Sequence, residues 1–116
     1  KESSAHENFK NYVFDAKDGA TDLTLKEITA VRLLKNEFYQ KIQEAYLAKA
    51  TTKVLKALLG RGRAKKGMFE GNLLEGELEI GQVSSMINKM QTSKEIIDEI
   101  IDGFNNSKSH LHTLNV

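Results

Sequence analysis

The sequence contains no cysteine, no proline and no tryptophan among its 116 residues. Because cysteine is absent, a disulfide framework, a thiolate metal site and a cysteine nucleophile are all excluded. No apolar run approaches the roughly 18 residues of a membrane-spanning helix, so we expect no membrane partner. The opening residues, KESSAHENFK, are polar and lack the apolar stretch of a secretory signal. These absences favour a cytoplasmic location.

Charges of the two signs nearly cancel. The chain has 17 lysines and arginines against 16 aspartates and glutamates, which gives a net charge of +1. That balance excludes a general electrostatic footprint for nucleic acid or an anionic membrane, although a local patch stays open. Hydrophobic residues at 40% and charged residues at 28% are typical of a globular protein. We therefore expect a folded protein with no nucleic-acid partner.

Three features indicate a piece of a longer protein. The first residue is Lys1, and a helix-start signal follows it with nothing before. Average usage of about 5% predicts about six prolines in a chain of this length, and there are none. We expect the C-terminal part of a larger polypeptide.

Hydrophobic periodicity predicts a mostly helical chain with one short strand. A serine near the start can cap a first helix that ends near Ala16. Polar and apolar residues alternate over Thr21–Lys26, which predicts the strand. Thr29 then caps a long helix that ends near Lys49, because apolar residues recur at helical spacing between them.

The second half of the chain is also predicted to be mainly helical. Thr51 begins a short helix, and Gly60 lies where a left-handed C-cap belongs. Asn72–Leu74 is a weak second strand. Another helix is predicted over Glu79–Met90, with its apolar residues turned inward.

The last predicted helix covers Ser93–Asp102. Thr92 and Glu95 form a capping box at its start. Gly103 is the predicted stop, and the residues after it are expected to form a loose tail.

Glycine is concentrated between Gly60 and Gly81, where a basic cluster also lies. The cluster consists of Arg61, Arg63, Lys65 and Lys66. Backbone amides freed by glycine, beside basic side chains, suit a phosphate or an acidic carrier protein. A solvated basic loop at a helix end is the alternative. The stretch matches neither the phosphate loop GxxxxGK(S/T) nor the dinucleotide pattern GxGxxG.

Few other residues indicate chemistry. His110 and His112 have no carboxylate at ligand spacing, so no metal site is predicted, and His6 is expected to be an ordinary surface residue. The carboxylates of the helices lie on their wet faces and form no acid–base pair. The step from Gly81 to Gln82 leaves two interpretations open. Gln82 can present its side-chain amide to a ligand, or it can cap the preceding loop.

Four segments carry a family resemblance in a shared order. They are KESSAHENFK, TDLTLKEITAVRLLKNEF with Arg32, Lys35 and Asn36 in an R-x-x-K-N pattern, the glycine-rich stretch that ends in a G-Q pair, and SKEIIDEII. Over about residues 1–103 the chain resembles the C-terminal third of the flavin-dependent enoyl-acyl-carrier-protein reductases of type II. It also resembles their close relatives, the nitronate monooxygenases (2-nitropropane dioxygenases), which are the alternative to the enoyl reductases.

The resemblance implies an FMN-binding (β/α)8 TIM barrel with a small, mainly helical substrate domain. On that basis residues 1–19 belong to the last barrel helix region and residues 20–75 to the substrate domain. Residues 76–104 return to the barrel, and 105–116 form the loose tail. The missing N-terminal barrel portion is then the main partner, and the resemblance admits a homodimer.

The resemblance also implies a reaction for the parent protein. Hydride would pass from NAD(P)H to FMN and then to an enoyl thioester, carried on acyl-carrier-protein or as a small molecule. In the nitronate branch, reaction of the reduced flavin with oxygen replaces that step. Gly81 and Gln82 carry over as residues at the flavin pocket. The basic cluster would attract a nicotinamide-cofactor phosphate or the carrier protein.

Some family features do not carry over. The catalytic residues lie outside this chain, and His6 does not match the catalytic histidine. Ahead of the G-Q pair, Glu77, Glu79 and Ile80 stand where many relatives have Ser, Met or Trp, and Ala. The chain by itself is expected to be inactive. A free-standing helical binding module for an acidic partner is the rival interpretation.

Overall fold

The computed structural model describes residues 1–113 and divides the chain into two units. Ser4–Asn88 forms the larger unit, and Lys1–Ser3 joins the segment from Lys89 on to form the smaller one. The α-helices are α1 (Glu7–Phe14), α2 (Glu37–Leu47), α3 (Thr52–Leu59) and α4 (Ser93–Thr113). The strands are β1 (Thr21–Thr24) and β2 (Val31–Leu34). A π-helical turn spans Lys65–Phe69, and a 3₁₀ helix spans Gln82–Met86. No helix within residues 1–113 is long and apolar enough to cross a bilayer.

Strand β2 is paired along both of its edges. On one side it forms an antiparallel hairpin with β1, in which Leu23 lies opposite Arg32. On the other side the Leu34 amide donates to the Leu78 carbonyl at 2.9 Å, and the Ile80 amide donates to the Arg32 carbonyl at 3.2 Å. The segment that leads into Gly81 is therefore attached to the hairpin.

The two faces of this small sheet cover two separate apolar clusters, because successive strand residues point to opposite sides. Leu34 belongs to the cluster built on α1, and Leu33 belongs to the cluster built on α2 and α3. The buried members of the first are Phe9, Val13, Ala16, Leu34 and Leu78. Those of the second are Leu25, Leu33, Phe38, Ile42 and Leu55.

The predicted long helix from Thr29 was wrong in its first third. Val31–Leu34 is a strand, and α2 begins at Glu37, where the Asn36 side chain accepts a hydrogen bond from the Tyr39 amide at 2.9 Å. Val31 and Leu34 have helical spacing from Phe38, but backbone pairing on both edges of β2 decides the structure. The isolated strand predicted at Thr21–Lys26 obtains its partner in this way, and Asn72–Leu74 forms no strand.

Two further helix predictions needed correction. The first helix is capped by His6, whose Nδ1 accepts from the Asn8 amide at 3.1 Å, and not by a serine. The His6 amide donates to the Met68 carbonyl at 2.8 Å, which fixes the start of α1. The predicted helix over Glu79–Met90 shrinks to a single 3₁₀ turn, because Ile80 is used in strand pairing.

The helices predicted from local caps are confirmed. Thr51 caps α3, and Gly60 follows it with a φ of 65°. At α4 the Thr92 amide donates to Glu95 Oε2 at 2.6 Å, and the Glu95 amide donates to Thr92 Oγ1 at 3.2 Å. The helix does not stop at Gly103. It continues through residues predicted as loose tail to Thr113, and the last three residues of that predicted tail lie outside the described part of the chain.

Helix α4 presents an apolar stripe that its own unit does not cover. None of the described residues of this helix is buried. The exposed apolar side chains on it are Ile96, Ile97, Ile100, Ile101, Phe104 and Leu111. Its start is anchored within the same unit, where the Ser93 amide donates to Glu2 Oε2 at 2.7 Å.

Candidate functional site

An open cleft of about 620 Å³ in the larger unit contains Gln82. Its walls come from three elements that are distant in sequence: the turn after α1, the hairpin and the 3₁₀ helix. The polar residues that line it include Lys17, Asp18, Thr21, Arg32, Gln82 and Ser85. A concave surface with a few convergent polar groups is the usual form of a small-molecule site.

The cleft exists because β2 positions the segment before Gln82. The Ile80 amide pairs with the Arg32 carbonyl, and Gly81 follows in an extended conformation, with φ −71° and ψ 156°. The next residue, Gln82, is exposed at the start of the 3₁₀ helix. A Cβ at Gly81 would meet the nearest side chain at an ordinary 3.8 Å, so crowding does not require glycine there.

Arg32 is the cleft residue whose importance the sequence did not reveal. It appeared there only as part of a family pattern. Its Nη1 donates to Thr21 Oγ1 at 3.3 Å, across the hairpin. Among residues 1–113 it makes no ion pair with a carboxylate. The charged guanidinium is therefore partly buried at the cleft, hydrogen-bonded to a neutral hydroxyl and attracted, without an ion pair, by Asp22.

The remaining wall of the cleft is apolar. Val83 and Met86 line it and are 63% and 75% exposed. Such exposure of large apolar side chains beside cations and an amide suits a ligand with an apolar body and polar or anionic ends.

Arg63, predicted to bind phosphate with the basic cluster, lies inside the fold. Its Nε donates to the carbonyls of Leu58 and Leu59 at 3.1 and 2.8 Å, so it satisfies the end of α3. Its Nη1 donates to the Glu75 carbonyl at 2.7 Å. Its guanidinium lies 4.4 Å from the centre of the Phe38 ring. These contacts direct its donors toward protein groups.

Glu75 completes this arrangement. Its carboxylate accepts hydrogen bonds from Lys41 and, at 3.3 Å, from Arg63. Both bonds lower the pKa of Glu75, and the bond from Lys41 has the larger effect. The other members of the basic cluster behave differently from Arg63. Lys65 pairs with Glu70 at 3.5 Å on the surface. Arg61 and Lys66 make no ion pair within the described residues.

The basic cluster and Gln82 do not form one site. None of the four basic residues lines the cleft that contains Gln82. The other conspicuous part of the R-x-x-K-N pattern is also structural. Asn36 Nδ2 donates to the carbonyls of Leu73 and Gly76 at 2.7 and 2.8 Å, while its Oδ1 caps α2.

Glu77 is the buried carboxyl of the larger unit. It is 7% exposed, and burial followed by repulsion from Glu79 raises its pKa, against a smaller opposing attraction from Arg63. Within the described residues its carboxyl group makes no hydrogen bond. It occupies one of the positions where the sequence departs from the family pattern.

The described residues bring no three potential metal ligands together. No group of three His, Cys, Asp or Glu side chains within 1–113 has the arrangement of a metal site. His110 and His112 lie on α4, where residues two apart point about 200° away from each other.

Solved structures of FabK from Thermotoga maritima are among those that resemble this chain. The fold is similar to FabK from Thermotoga maritima, with a TM-score of 0.77 and 24% identity over 93% of this chain and 34% of FabK. A point mutant of the same FabK aligns with a TM-score of 0.72 and 26% identity, over 96% of this chain and 32% of that one. The chain thus spans about a third of the length of FabK. No family model and no curated protein matches the chain.

Proposed function

We propose that the chain is the C-terminal part of an FMN-dependent oxidoreductase, most closely an enoyl-acyl-carrier-protein reductase. The structural likeness to FabK over nearly the whole chain carries the proposal. FabK is a type II enoyl reductase, the family that four segments of the sequence resemble. The covered third of FabK leaves room for the barrel portion that this chain lacks, and that portion is its main proposed partner.

The residues of the cleft fit a flavin. The Gln82 amide supplies both a donor and an acceptor, which suits the nitrogen and oxygen atoms along the polar edge of an isoalloxazine ring. Val83 and Met86 give an apolar surface for the ring itself. Bound FMN would supply the hydride-transfer chemistry that links oxidation of NAD(P)H to reduction of the conjugated double bond of the enoyl thioester.

The contribution of this chain is binding and orientation. Gln82 would hold the flavin edge. Gly81 would position Gln82, because the Ile80 amide just before it is hydrogen-bonded to β2. The exposed cations Arg61 and Lys65, with the half-buried Lys66, would attract an acidic carrier protein, whose charge complements them. Arg63 has no part in that attraction, because its donors are used within the fold.

A chimera tests the proposal. The corresponding third of Thermotoga maritima FabK is replaced by this chain, and the purified protein is examined for an oxidised-flavin absorption band. We expect the band, and NAD(P)H oxidation that depends on an enoyl thioester. Gln82→Ala should weaken FMN binding about tenfold, since one hydrogen bond is lost. Gln40→Ala, an exposed glutamine on α2, is the matched control and should leave it unchanged.

The same chimera separates the alternatives. Oxygen consumption with a nitroalkane but not an enoyl thioester would assign the nitronate monooxygenase reaction. A folded chimera without flavin would overturn the proposal. A cooperative unfolding transition of the chain alone, combined with that result, would favour a free-standing binding module for an acidic partner.

A further inference from the structure

We propose that the cleft around Arg32 is a binding site for an organic phosphate. Neither the family resemblance nor the basic cluster assigns such a site to this position. The choice between the sources of that phosphate rests on the proposed oxidoreductase function, whereas the site itself rests on the cleft.

Arg32 and Arg63 differ in how many of their guanidinium donors already have partners within the protein. Arg63 and Arg32 are both partly buried. The guanidinium of Arg63 is satisfied by three carbonyls, a carboxylate and an aromatic ring. The guanidinium of Arg32 donates to a single hydroxyl, that of Thr21. A guanidinium fork with donors to spare is the group that recognises phosphate through paired hydrogen bonds.

The charged residues that line the cleft add to one positive charge, and a further carboxylate lies near Arg32. Lys17 and Arg32 line it together with one carboxylate, Asp18. The side chains of Lys17 and Asp18 make no ion pair within residues 1–113, so both act on whatever enters. Asp22 is the other nearby carboxylate: its oxygens accept from Tyr39 and from the Leu23 amide, and its negative charge attracts Arg32. Asp18 and Asp22 therefore both oppose an anion, and the spare donors of the Arg32 guanidinium, not an excess of charge, favour phosphate.

A neutral donor completes the set. The hydroxyl of Thr21 accepts from Arg32, which leaves its hydrogen for another acceptor. Ser85 also lines the cleft, but its hydroxyl already donates to the Gln82 carbonyl at 3.2 Å and has no hydrogen left for a ligand. A guanidinium, an ammonium group and a hydroxyl donor are the chemistry of a phosphate site, and they come from other elements than Gln82, Val83 and Met86, which are proposed to hold the flavin.

Two sources of phosphate are compatible with the proposed reaction. One is the nicotinamide nucleotide, and the other is the phosphopantetheine arm of a carrier-linked substrate.

The site is tested on the chain as it is, without any catalytic assay. Inorganic pyrophosphate is titrated into the protein by calorimetry at low ionic strength. We expect saturable binding that Arg32→Gln weakens about tenfold or more. Lys17→Gln should weaken it roughly threefold, as expected for an exposed charge. Lys53→Gln removes the same charge from an exposed position outside the cleft and should have no effect.

A variant that is expected to bind pyrophosphate more tightly separates a change in the site from misfolding, because a misfolded protein would lose affinity. Asp18→Asn removes an opposing carboxylate from an exposed position, so pyrophosphate should bind roughly threefold more tightly. Absence of saturable binding to the folded wild type would overturn the site. An equal loss in the Arg32 and Lys53 variants would overturn it too, because it would reveal binding to net charge alone.

The chimera then identifies the source. A raised KM for NADPH in the Lys17→Gln chimera, with KM for the thioester unchanged, assigns the nucleotide. A raised KM for carrier-linked substrate but not for a short thioester without pantetheine phosphate assigns the carrier arm. Pyrophosphate binding in a chain whose chimera lacks flavin would keep the site and reject the oxidoreductase. A flavin-loaded chimera, combined with no pyrophosphate binding by the chain, would keep the oxidoreductase proposal and reject the phosphate site.

Discussion

The guanidinium of Arg63 lies over the ring of Phe38, 4.4 Å from its centre. Phe38 is fully buried at the start of α2, whereas Arg63 comes from the loop after α3. The pair therefore joins two helices through one cation, and the same cation satisfies carbonyls at the end of α3. A residue that composition places in a phosphate-binding cluster is part of the scaffold.

Replacing Arg63 should destabilise the larger unit. Arg63→Ala removes charge-assisted hydrogen bonds to three carbonyls and the contact with Phe38, so we expect a loss of about 2–3 kcal/mol in unfolding free energy. Urea denaturation followed by circular dichroism measures it. Arg61→Ala, two residues away and exposed, should change stability by less than about 0.5 kcal/mol. Equal small effects would contradict the structural role of Arg63.

Two glycines should respond to alanine in opposite directions. A Cβ at Gly76 would overlap the Cα of Gly67 and the carbonyl oxygen of Asn72, which are backbone atoms that cannot easily move. Gly76→Ala should cost about 2 kcal/mol or more through overpacking. Gly103 lies within α4 with no atom within 4 Å of the added Cβ, so Gly103→Ala should add about 1 kcal/mol of helix stability. Urea midpoints measure the loss of stability in Gly76→Ala, and far-ultraviolet circular dichroism measures the gain of helix stability in Gly103→Ala. Stability changes of the same sign in both variants would contradict the packing described.

Glu77 should make the protein less stable as the pH rises. Its pKa in the folded state is raised from 4.5, chiefly by burial. The folded state therefore holds this proton more tightly than the unfolded chain does. The resulting stability is complete below pH 4.5 and is lost as the pH rises through the folded pKa. Glu77→Gln should remove this dependence, which urea midpoints across acidic and neutral pH would detect.

Glu75 is the internal control for that experiment. Its pKa is lowered by hydrogen bonds from Lys41 and Arg63, so its contribution is present above pH 4.5 and is lost as the pH falls. Glu75→Gln should therefore weaken the protein at neutral pH and little in acid. Matching pH profiles for the two variants would refute the assignment of opposite shifts.

Two adjacent serines should differ on truncation to alanine. Ser84 is 1% exposed, and its Oγ has no hydrogen-bond partner within the residues the structure describes. Ser84→Ala removes an unsatisfied buried hydroxyl and should raise stability by about 1 kcal/mol. Ser85→Ala removes the bond to the Gln82 carbonyl and should lower it slightly. Thermal unfolding of both variants provides the check, and a clear loss in the Ser84 variant would show that its hydroxyl has a partner.

Local signals in the sequence were sufficient for some elements. The cap at Thr51 and the reciprocal bonds between Thr92 and Glu95 depend on residues three apart, so α3 and the start of α4 were predicted correctly. Strand β2 was missed because its pairing with Glu79 is distant in sequence, and its apolar spacing also fits a helix. Gly103 was taken as a stop, although a glycine only weakens an exposed helix.

The candidate site shows the same division. The sequence leaves two interpretations of Gln82 open, a ligand contact or a cap on the preceding loop, and only the structure shows that it lies at a cleft. The cleft itself depends on Arg32 and Lys17, which the hairpin and the turn after α1 bring to the same cleft. Arg63 looked equivalent to Arg61 in the sequence, since nothing local reveals a contact with Phe38.

The double pairing of β2 also has a consequence for biosynthesis. When a growing chain has reached the end of α3, both hairpin strands are present, but the residues that complete the other edge of β2 have not been made. Leu78, which is fully buried against α1 and Leu34, belongs to those later residues. Closure of so long a loop is slow compared with helix formation. Until translation has passed Ile80, Leu78 cannot pack against α1. Part of the apolar surface of α1 therefore stays exposed and accessible to chaperones.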